Sequence, residues 1–212
     1  RLFNLNAEPI TDRGFSYIDF LLPGVVAMSI MQMGMFSVAF SFIQLKRLGI
    51  LRRLFATPLR PVSMLFAQVV TRLIVSVVQT LLLIGIAVIF FDAEVVGNIL
   101  SIIVVAVIGG GVFLSMGFGI AGWAKNENVA APIANVIAIP MMFLSGVFFG
   151  RELLPEILQT ITDYFPLTYL VNALRNISTD GATLWSQGEN LLGLGIWLIV
   201  SFIVATRLFR WE

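Results

Sequence analysis

Five long apolar segments, separated by shorter polar ones, dominate the pattern of this sequence. They are predicted at about 20–44, 64–91, 99–123, 129–149 and 191–208. Most of them reach the roughly 20 residues that an α-helix needs to cross a bilayer. The pattern therefore predicts an all-α integral membrane protein, in which residues 1–212 form a single transmembrane domain, a helical bundle of five spans.

A basic segment separates the first two apolar segments. Residues 46–61 contain five of the thirteen Lys and Arg residues of the chain. Apolar residues recur in this segment at helical spacing: Leu48, Leu51, Phe55 and Leu59. Because Thr57-Pro58 ends the pattern, a short amphipathic helix is predicted at about 46–58. By its residues alone, such a helix either docks on a partner protein or holds anionic lipid headgroups through its arginines.

The segment at about 152–176 has a different pattern from the spans. Pro155 and Pro166 each stand where a proline favours the first turn of a helix, and apolar residues follow each of them at helical spacing. Neither stretch is long enough to cross a bilayer. Two short re-entrant helices at the outer membrane surface are therefore predicted.

The positions of the charges orient the predicted spans. If the basic segment is cytoplasmic, eight Lys and Arg residues fall on the cytoplasmic side: Lys46, Arg47, Arg52, Arg53, Arg60, Lys125, Arg207 and Arg210. Four fall on the outer side: Arg1, Arg13, Arg151 and Arg175. This asymmetry follows the positive-inside rule, so we expect a multi-pass protein of the cytoplasmic membrane. The chain then starts outside, and with Arg instead of Met, so a further span before Arg1 is expected, making six in the full protein.

The composition of the chain excludes several kinds of catalytic and metal-binding site. The chain is 58% hydrophobic and 12% charged, with a mean hydropathy of +0.97, and it contains neither Cys nor His. Thiol catalysis, disulfides and Cys/His metal sites are thereby excluded. The G-x-x-x-x-G-K-[ST] pattern of a phosphate-binding loop is absent as well. We therefore expect no catalytic residue, metal site or cofactor in this chain, and do not expect it to be an enzyme.

Five short motifs occur in a defined order along the chain. They are Phe20-Leu-Leu-Pro-Gly24, Gly49-Ile-Leu-Arg-Arg-Leu-Phe-Ala-Thr-Pro58, Leu144-Ser-Gly-Val-Phe-Phe149, Leu154-Pro155 and Phe165-Pro-Leu-Thr-Tyr-Leu-Val-Asn-Ala-Leu-Arg175. Together they resemble the permease subunits of type-2 ABC exporters, and in particular the multidrug and daunorubicin-type permeases. The resemblance extends from Tyr17 to the end of the chain.

The resemblance implies partners and a role for the basic segment. The partners are cytoplasmic ATPase subunits, which bind ATP and Mg, and a second permease copy, identical or not. All of them work in the lipid bilayer, and no nucleic acid is expected. The helix at about 46–58 is then a coupling helix, which docks on the ATPase through Leu48, Gly49, Leu51, Arg52, Arg53, Phe55, Thr57 and Pro58. The implied activity is outward transport of a hydrophobic or amphiphilic compound, drug-like or lipid-like.

Other functions stay open. Export of a polysaccharide or another glycoconjugate is an alternative within the same family. A membrane scaffold or assembly protein without transport activity is an alternative from another class. An ion-coupled secondary transporter is disfavoured, because the predicted spans contain neither Asp nor Glu.

The first and fourth spans carry a candidate substrate path. Met, Phe and small polar side chains form soft surfaces that suit ligands of varied shape. The candidate lining residues are Met33, Phe36, Phe40, Asn135, Met142 and Phe143. The alternative is that these are ordinary core or lipid-facing residues.

Arg72 lies about two turns inside the second span. A charge within a membrane span is a candidate for function, here in substrate binding or gating. The structural alternative is that the side chain reaches the cytoplasmic surface or makes an internal bond.

Glycines crowd the third span: Gly109, Gly110, Gly111, Gly117, Gly119 and Gly122. No strand precedes them and no Lys-Ser/Thr follows, so they do not form a phosphate-binding loop. We interpret them as sites where neighbouring helices approach closely.

Overall fold

The computed structural model describes residues 17–49, 61–124, 126–150 and 155–208. Within these ranges the regular secondary structure is entirely helical. Five helical segments are long and apolar enough to cross a membrane: Tyr17–Arg47, Phe66–Phe91, Ile99–Trp123, Glu127–Leu144 and Leu184–Arg207. The predicted all-α bundle with five spans is confirmed, and the chain is a multi-pass membrane protein.

The first span is a long helix with an irregular middle. Helix α1 comprises Tyr17–Gln32, a π-helical turn follows at Met33–Ser37, and helix α2 comprises Val38–Arg47. The helix stops because Gly49 adopts a φ of +66°, a left-handed conformation that glycine reaches without strain. The span therefore runs a few residues beyond its predicted end at residue 44.

Three helices follow in chain order: α3 at Pro61–Phe91, α4 at Ile99–Trp123 and α5 at Glu127–Leu144. Asparagine side chains cap the first turns of α4 and α5. Asn98 Oδ1 accepts a hydrogen bond of 2.8 Å from the backbone N–H of Leu100. Asn126 Oδ1 accepts one of 3.0 Å from the backbone N–H of Val129. The Asn98 cap explains why α4 begins where the sequence predicted it, whereas the Asn126 cap starts α5 two residues before the predicted 129.

The end of α5 and the last third of the chain are less regular. Helix α5 ends before the predicted limit of 149, because Gly146 takes a φ of +77° that stops the helix. The remaining elements are α6 at Glu156–Thr162, α7 at Pro166–Ser178, a 3-10 turn at Leu184–Gln187, and α8 at Gly188–Leu208. Two short helices thus lie in the segment where re-entrant helices were predicted, and Pro166 occupies the first turn of α7.

Helix α4 forms the centre of the bundle. It packs against α3, α7, α8 and each part of the first span. Several of its side chains have no exposed surface: Val105, Ala106, Val112 and Phe113. Helix α3, in contrast, is buried along one narrow stripe and is exposed elsewhere. This is the pattern of a lipid-facing helix at the rim of a membrane bundle.

Candidate functional site

The first span divides its Met and Phe side chains between two faces. Met31 and Met35 are fully buried in the core. Met33, Phe36 and Phe40 are half-buried and lie on the less buried side of the helix. The rings of Phe36 and Phe40 pair, with 6.0 Å between their centroids. All three candidate path residues of this span therefore remain accessible.

Two glycines hold the π-helical turn against α4. A Cβ added to Gly34 would lie 2.7 Å from Phe113 Cβ, and one added to Gly117 would lie 2.7 Å from the carbonyl oxygen of Gly34. A larger residue at either position would push the helices apart. This agrees with the interpretation of the glycines in the third span. Since π-helical turns often accompany functional sites, the contact positions the part of the first span that carries Phe36.

Helix α5 lies beside the first span and has two unlike faces. Its buried face consists of small residues and one methionine: Ala130, Ala134, Ala138 and Met141. Its opposite face is exposed and carries Asn135 and Phe143, and Phe143 is 48% exposed. Met142 is half-buried and packs against the core. The six candidate path residues therefore lie on accessible surfaces of two neighbouring helices, and none of them is fully buried.

Two carboxamides are exposed on these two spans. Gln32 of α1 and Asn135 of α5 are both exposed, and in the described part of the chain neither has a hydrogen-bond partner. Lipid chains cannot satisfy a carboxamide, so such a side chain faces water or another protein surface. We define the path surface as the following residues: Gln32, Met33, Phe36, Phe40, Asn135, Met142 and Phe143. It is the candidate functional surface of the chain.

The end of the bundle that carries Lys46 and Arg47, here named the basic end, holds the start of the predicted coupling helix. Leu48 is exposed, and no described atom lies within 4 Å of a Cβ built on Gly49. The other candidate coupling residues lie outside the described residues: Leu51, Arg52, Arg53, Phe55, Thr57 and Pro58. Gly49 itself acts as the end of the first span, because its positive φ stops α2.

Arg72 makes an internal hydrogen bond near the basic end. Its Nη2 donates to Ser41 Oγ at a distance of 2.7 Å. The bond joins α3 to α2, so the internal bond named as a structural alternative for Arg72 is present. The candidate path residue Phe40 is the sequence neighbour of Ser41.

Arg175 joins three elements at the opposite end of the bundle. Its Nη2 donates to the carbonyl oxygens of Gly146 at 2.8 Å and of Phe20 at 3.3 Å. Its guanidinium carbon lies 3.9 Å from the centroid of the Phe20 ring, which adds a cation–π contact. Burial lowers the pKa of this guanidinium, and the charge of Asp180 acts in the opposite direction. One side chain of α7 thus ties the start of α1 to the end of α5.

Sequence reasoning assigned no role to Arg175, although its motifs contained the signal. Arg175 ends one motif of the resemblance, Phe20 begins another, and Gly146 lies in a third. These three motifs are far apart in the chain, and they meet at this guanidinium. A shared contact explains why three short motifs occur together.

An apolar groove lies between α4, α5 and α8. Its volume is about 250 Å³, and its lining includes Trp123, Ile137 and Trp197. No residue of the path surface lines it. The groove and the path surface are therefore separate features of the bundle.

Comparison with known proteins identifies the family. The model of the family described as ABC-2 type transporter matches residues 3–178. ABC transporter G family member 20 of Dictyostelium discoideum is 29% identical over 191 residues, which are 89% of this chain and 26% of that protein. Inner membrane transport permease YadH of Escherichia coli strain K12 is 25% identical over 173 residues, 81% of this chain and 67% of that protein. Nodulation protein J of Rhizobium leguminosarum bv. trifolii is 26% identical over 98 residues, 46% of this chain and 37% of that protein.

The extent of these matches differs between the relatives. This chain spans 26% of the length of the Dictyostelium protein and 67% of that of the Escherichia coli permease. The family match covers the first four spans and both short helices. It confirms the resemblance drawn from the five motifs. The chain belongs to the ABC-2 type transporter family.

Proposed function

We propose that this chain is the permease part of an ATP-driven exporter, which moves a hydrophobic or amphiphilic compound outward across the cytoplasmic membrane. The observation that carries the proposal is the path surface, where carboxamides and aromatic rings remain accessible within two neighbouring spans. Family membership supports it, and the Escherichia coli relative is named as a transport permease.

The path surface is poorly suited to contact with lipid. Facing hydrocarbon, Gln32 and Asn135 would each leave an amide without a partner, which is costly in a bilayer. A second permease copy placed against this surface removes both side chains from lipid and encloses a path between the two copies. Met and Phe side chains along such a path adapt to compounds of different shape.

The basic end supplies a route from ATP to this path. Helix α2 carries Phe40, and Gly49 follows roughly 13 Å further along the chain at helical rise. A partner ATPase, which binds ATP and Mg, docks on the segment that begins at Leu48. Because the Arg72–Ser41 bond joins α3 to α2, it offers a direct contact through which a displacement of α2 reaches α3.

The test is purification of the intact protein from its own membranes in mild detergent, with its associated proteins. A permease is accompanied by an ABC ATP-binding protein whose hydrolysis rate changes when amphiphilic compounds are added. In inverted vesicles, ATP then drives a fluorescent amphiphile into the lumen. A protein whose partners hydrolyse ATP at one rate with every amphiphile, and whose vesicles accumulate none, is a scaffold and refutes the proposal. A response to glycoconjugates alone refutes the proposed compound class.

A further inference from the structure

Within the described residues, no carboxylate forms an ion pair with Arg72. From Phe20 to Phe91 the sequence contains neither Asp nor Glu, and α4, which packs on α3, contains none either. The acidic residue of the first span, Asp19, precedes Ser41 by roughly 33 Å of helix. An arginine remains charged in proteins. The charge of Arg72 is therefore not neutralised by the spans around it.

The hydrogen bonds of Arg72 are also incomplete. A guanidinium has five N–H donors, and in the described part of the chain Arg72 donates one bond, to Ser41. Its other nitrogens keep some exposed surface, whereas Nε of Arg175 is buried without a hydrogen-bond partner. Arg175 nevertheless has two carbonyl oxygens and an aromatic ring around it. Arg72 thus has accessible donors for which the described part of the chain supplies no acceptor.

The surroundings of Arg72 place that acceptor at the membrane surface of the basic end. Phe66 begins the apolar part of α3, and Arg72 follows it by about 9 Å of helix. The long arginine side chain reduces its depth in the membrane by reaching toward the surface of the basic end. Gln68 lies one turn closer to the basic end on the same helix and is half-buried. Val75 and Ile86, at 45% and 47% exposure, lie on the same side of α3 as Gln68 and Arg72 and continue this strip with apolar surface. A ligand here meets both polar donors and a lipid-facing helix.

We propose that Arg72 and Gln68 form a binding site for the phosphate of an anionic phospholipid, taken from the leaflet at the basic end. A guanidinium matches a phosphate group in geometry as well as charge. Lys46 and Arg47 at the end of α2 add positive charge at the same membrane surface. A free phosphate ion has the same chemistry, but the exposed side chains of Val75 and Ile86, on the same side of α3 as Arg72, suit acyl chains lying along this helix. The site is independent of what the protein transports.

The test measures phospholipid retained by the intact protein. The protein is reconstituted in nanodiscs of mixed phosphatidylglycerol and phosphatidylcholine, extracted in mild detergent, and its bound lipid quantified by mass spectrometry. We expect the wild type to retain phosphatidylglycerol in preference to phosphatidylcholine. Arg72→Gln lowers this preference about fivefold, as expected for one basic residue at a membrane surface. Arg72→Lys keeps part of it, since the charge remains.

Two control variants separate the site from its surroundings. Ser41→Ala removes the internal bond but leaves the charge of Arg72, so the preference for phosphatidylglycerol stays. Arg207→Gln removes an exposed charge from α8 and measures the general effect of charge at the membrane surface. We expect it to lower the preference less than Arg72→Gln does, because an exposed charge is screened by salt, and equal losses in the two variants would show that Arg72 is not a specific site. If Arg72→Gln does not fold, Gln68→Leu takes its place, and a lower preference is expected.

Several results overturn the proposal. The same preference in wild type, Arg72→Gln and Gln68→Leu shows that Arg72 meets no lipid phosphate. Equal losses in Ser41→Ala and Arg72→Gln show that Arg72 has only a structural role. Displacement of phosphatidylglycerol by inorganic phosphate at low concentration assigns the site to the free ion. An unchanged lipid preference combined with loss of an accompanying subunit in Arg72→Gln assigns the charge to an acidic side chain of that subunit.

Discussion

The Nη2 of Arg72 donates a hydrogen bond of 2.7 Å to Ser41 Oγ, and this bond joins the two helices on either side of residues 50–60. Helix α2 runs into that segment and α3 begins directly after it. The bond is therefore a contact through which a displacement of one span could act on the other. Ser41 follows Phe40 of the path surface in the sequence. The Arg72–Ser41 bond therefore links α3 directly to the part of the first span that carries the path surface.

Removing the hydroxyl of Ser41 should loosen this pair of helices. We expect Ser41→Ala to lower the free energy of unfolding by about 0.6–1.7 kcal/mol, the range found for hydrogen bonds between membrane helices. Unfolding of the intact protein in mixed micelles with increasing sodium dodecyl sulfate measures the change. Ser37→Ala is the matched control, because Ser37 lies in the same span and its hydroxyl makes no hydrogen bond within the described residues. Equal losses in the two variants contradict a role for the bond.

The contact between α4 and the π-helical turn should not tolerate a methyl group. The Cβ of Gly117→Ala would lie 2.7 Å from the Gly34 carbonyl oxygen, which is backbone and cannot rotate away. We expect a loss of about 1–3 kcal/mol, as for overpacked cores. Gly85→Ala on α3 is the control, since nothing lies within 4 Å of its Cβ. It should be neutral or stabilising by up to about 1 kcal/mol. Thermal unfolding midpoints that fall equally in both variants contradict the close contact.

Arg175→Lys should weaken the junction of α1, α5 and α7. The shorter lysine side chain does not reach the position of Nη2, which donates both carbonyl bonds, and its ammonium lacks the planar face that lies over the Phe20 ring. We expect a loss of about 1.5–3 kcal/mol, as for hydrogen bonds to a charged group. Burial lowers the pKa of the Arg175 guanidinium, but from so high a value that it stays charged. The stability of the wild type should therefore not depend on this group between about pH 6 and pH 8.

Arg207→Lys serves as the control for Arg175→Lys. Arg207 is exposed on α8, so exchange of one cation for another should change stability little. Unfolding curves measured at both pH values test the two variants together. A stable Arg175→Lys protein at either pH shows that the junction does not depend on the guanidinium.

The left-handed conformation of Gly49 allows a test of whether the end of α2 matters for coupling. Valine strongly disfavours the φ of +66° found there, at a cost of about 1–2 kcal/mol, whereas asparagine accepts it. We expect Gly49→Val to reduce ATP-driven transport without reducing the amount of protein in the membrane, and Gly49→Asn to transport normally. Transport in inverted vesicles, relative to protein amount, measures both. Equal transport by the two variants shows that the end of α2 does not matter for coupling.

Phe143 should influence which compounds are transported. Phe143→Ala removes a ring from the path surface, so we expect the relative rates for amphiphiles of different size to change severalfold. Phe90→Ala is the matched control, because Phe90 is 75% exposed on the lipid-facing helix α3. It should leave the relative rates unchanged. A uniform decrease for every compound in Phe143→Ala indicates a folding defect and contradicts a role in the path.

The five spans could be predicted from the sequence because helix formation and membrane insertion depend on apolar residues close together in the chain. The prediction of α4 agreed with the structure at both ends, where Asn98 precedes the apolar segment and Trp123 ends it. The starts of the other four spans lie two or three residues before the predicted ones. Two C-terminal ends also differ by a few residues, at Gly49 and Gly146. A glycine permits a left-handed conformation but does not require it, so sequence alone does not say which glycine ends a helix.

What only the tertiary structure decided is which distant residues share a contact. The five motifs identified the family, but only the fold brings Arg175 to Phe20, 155 residues away. Met33 and Met35 lie on opposite sides of the helix, as residues two apart do, but only the packing shows that Met35 faces the core and Met33 the path surface. The π-helical turn that carries both is packed against Gly117 of another span. Hydrophobicity places a segment in the membrane, whereas close packing between helices decides which face each side chain occupies.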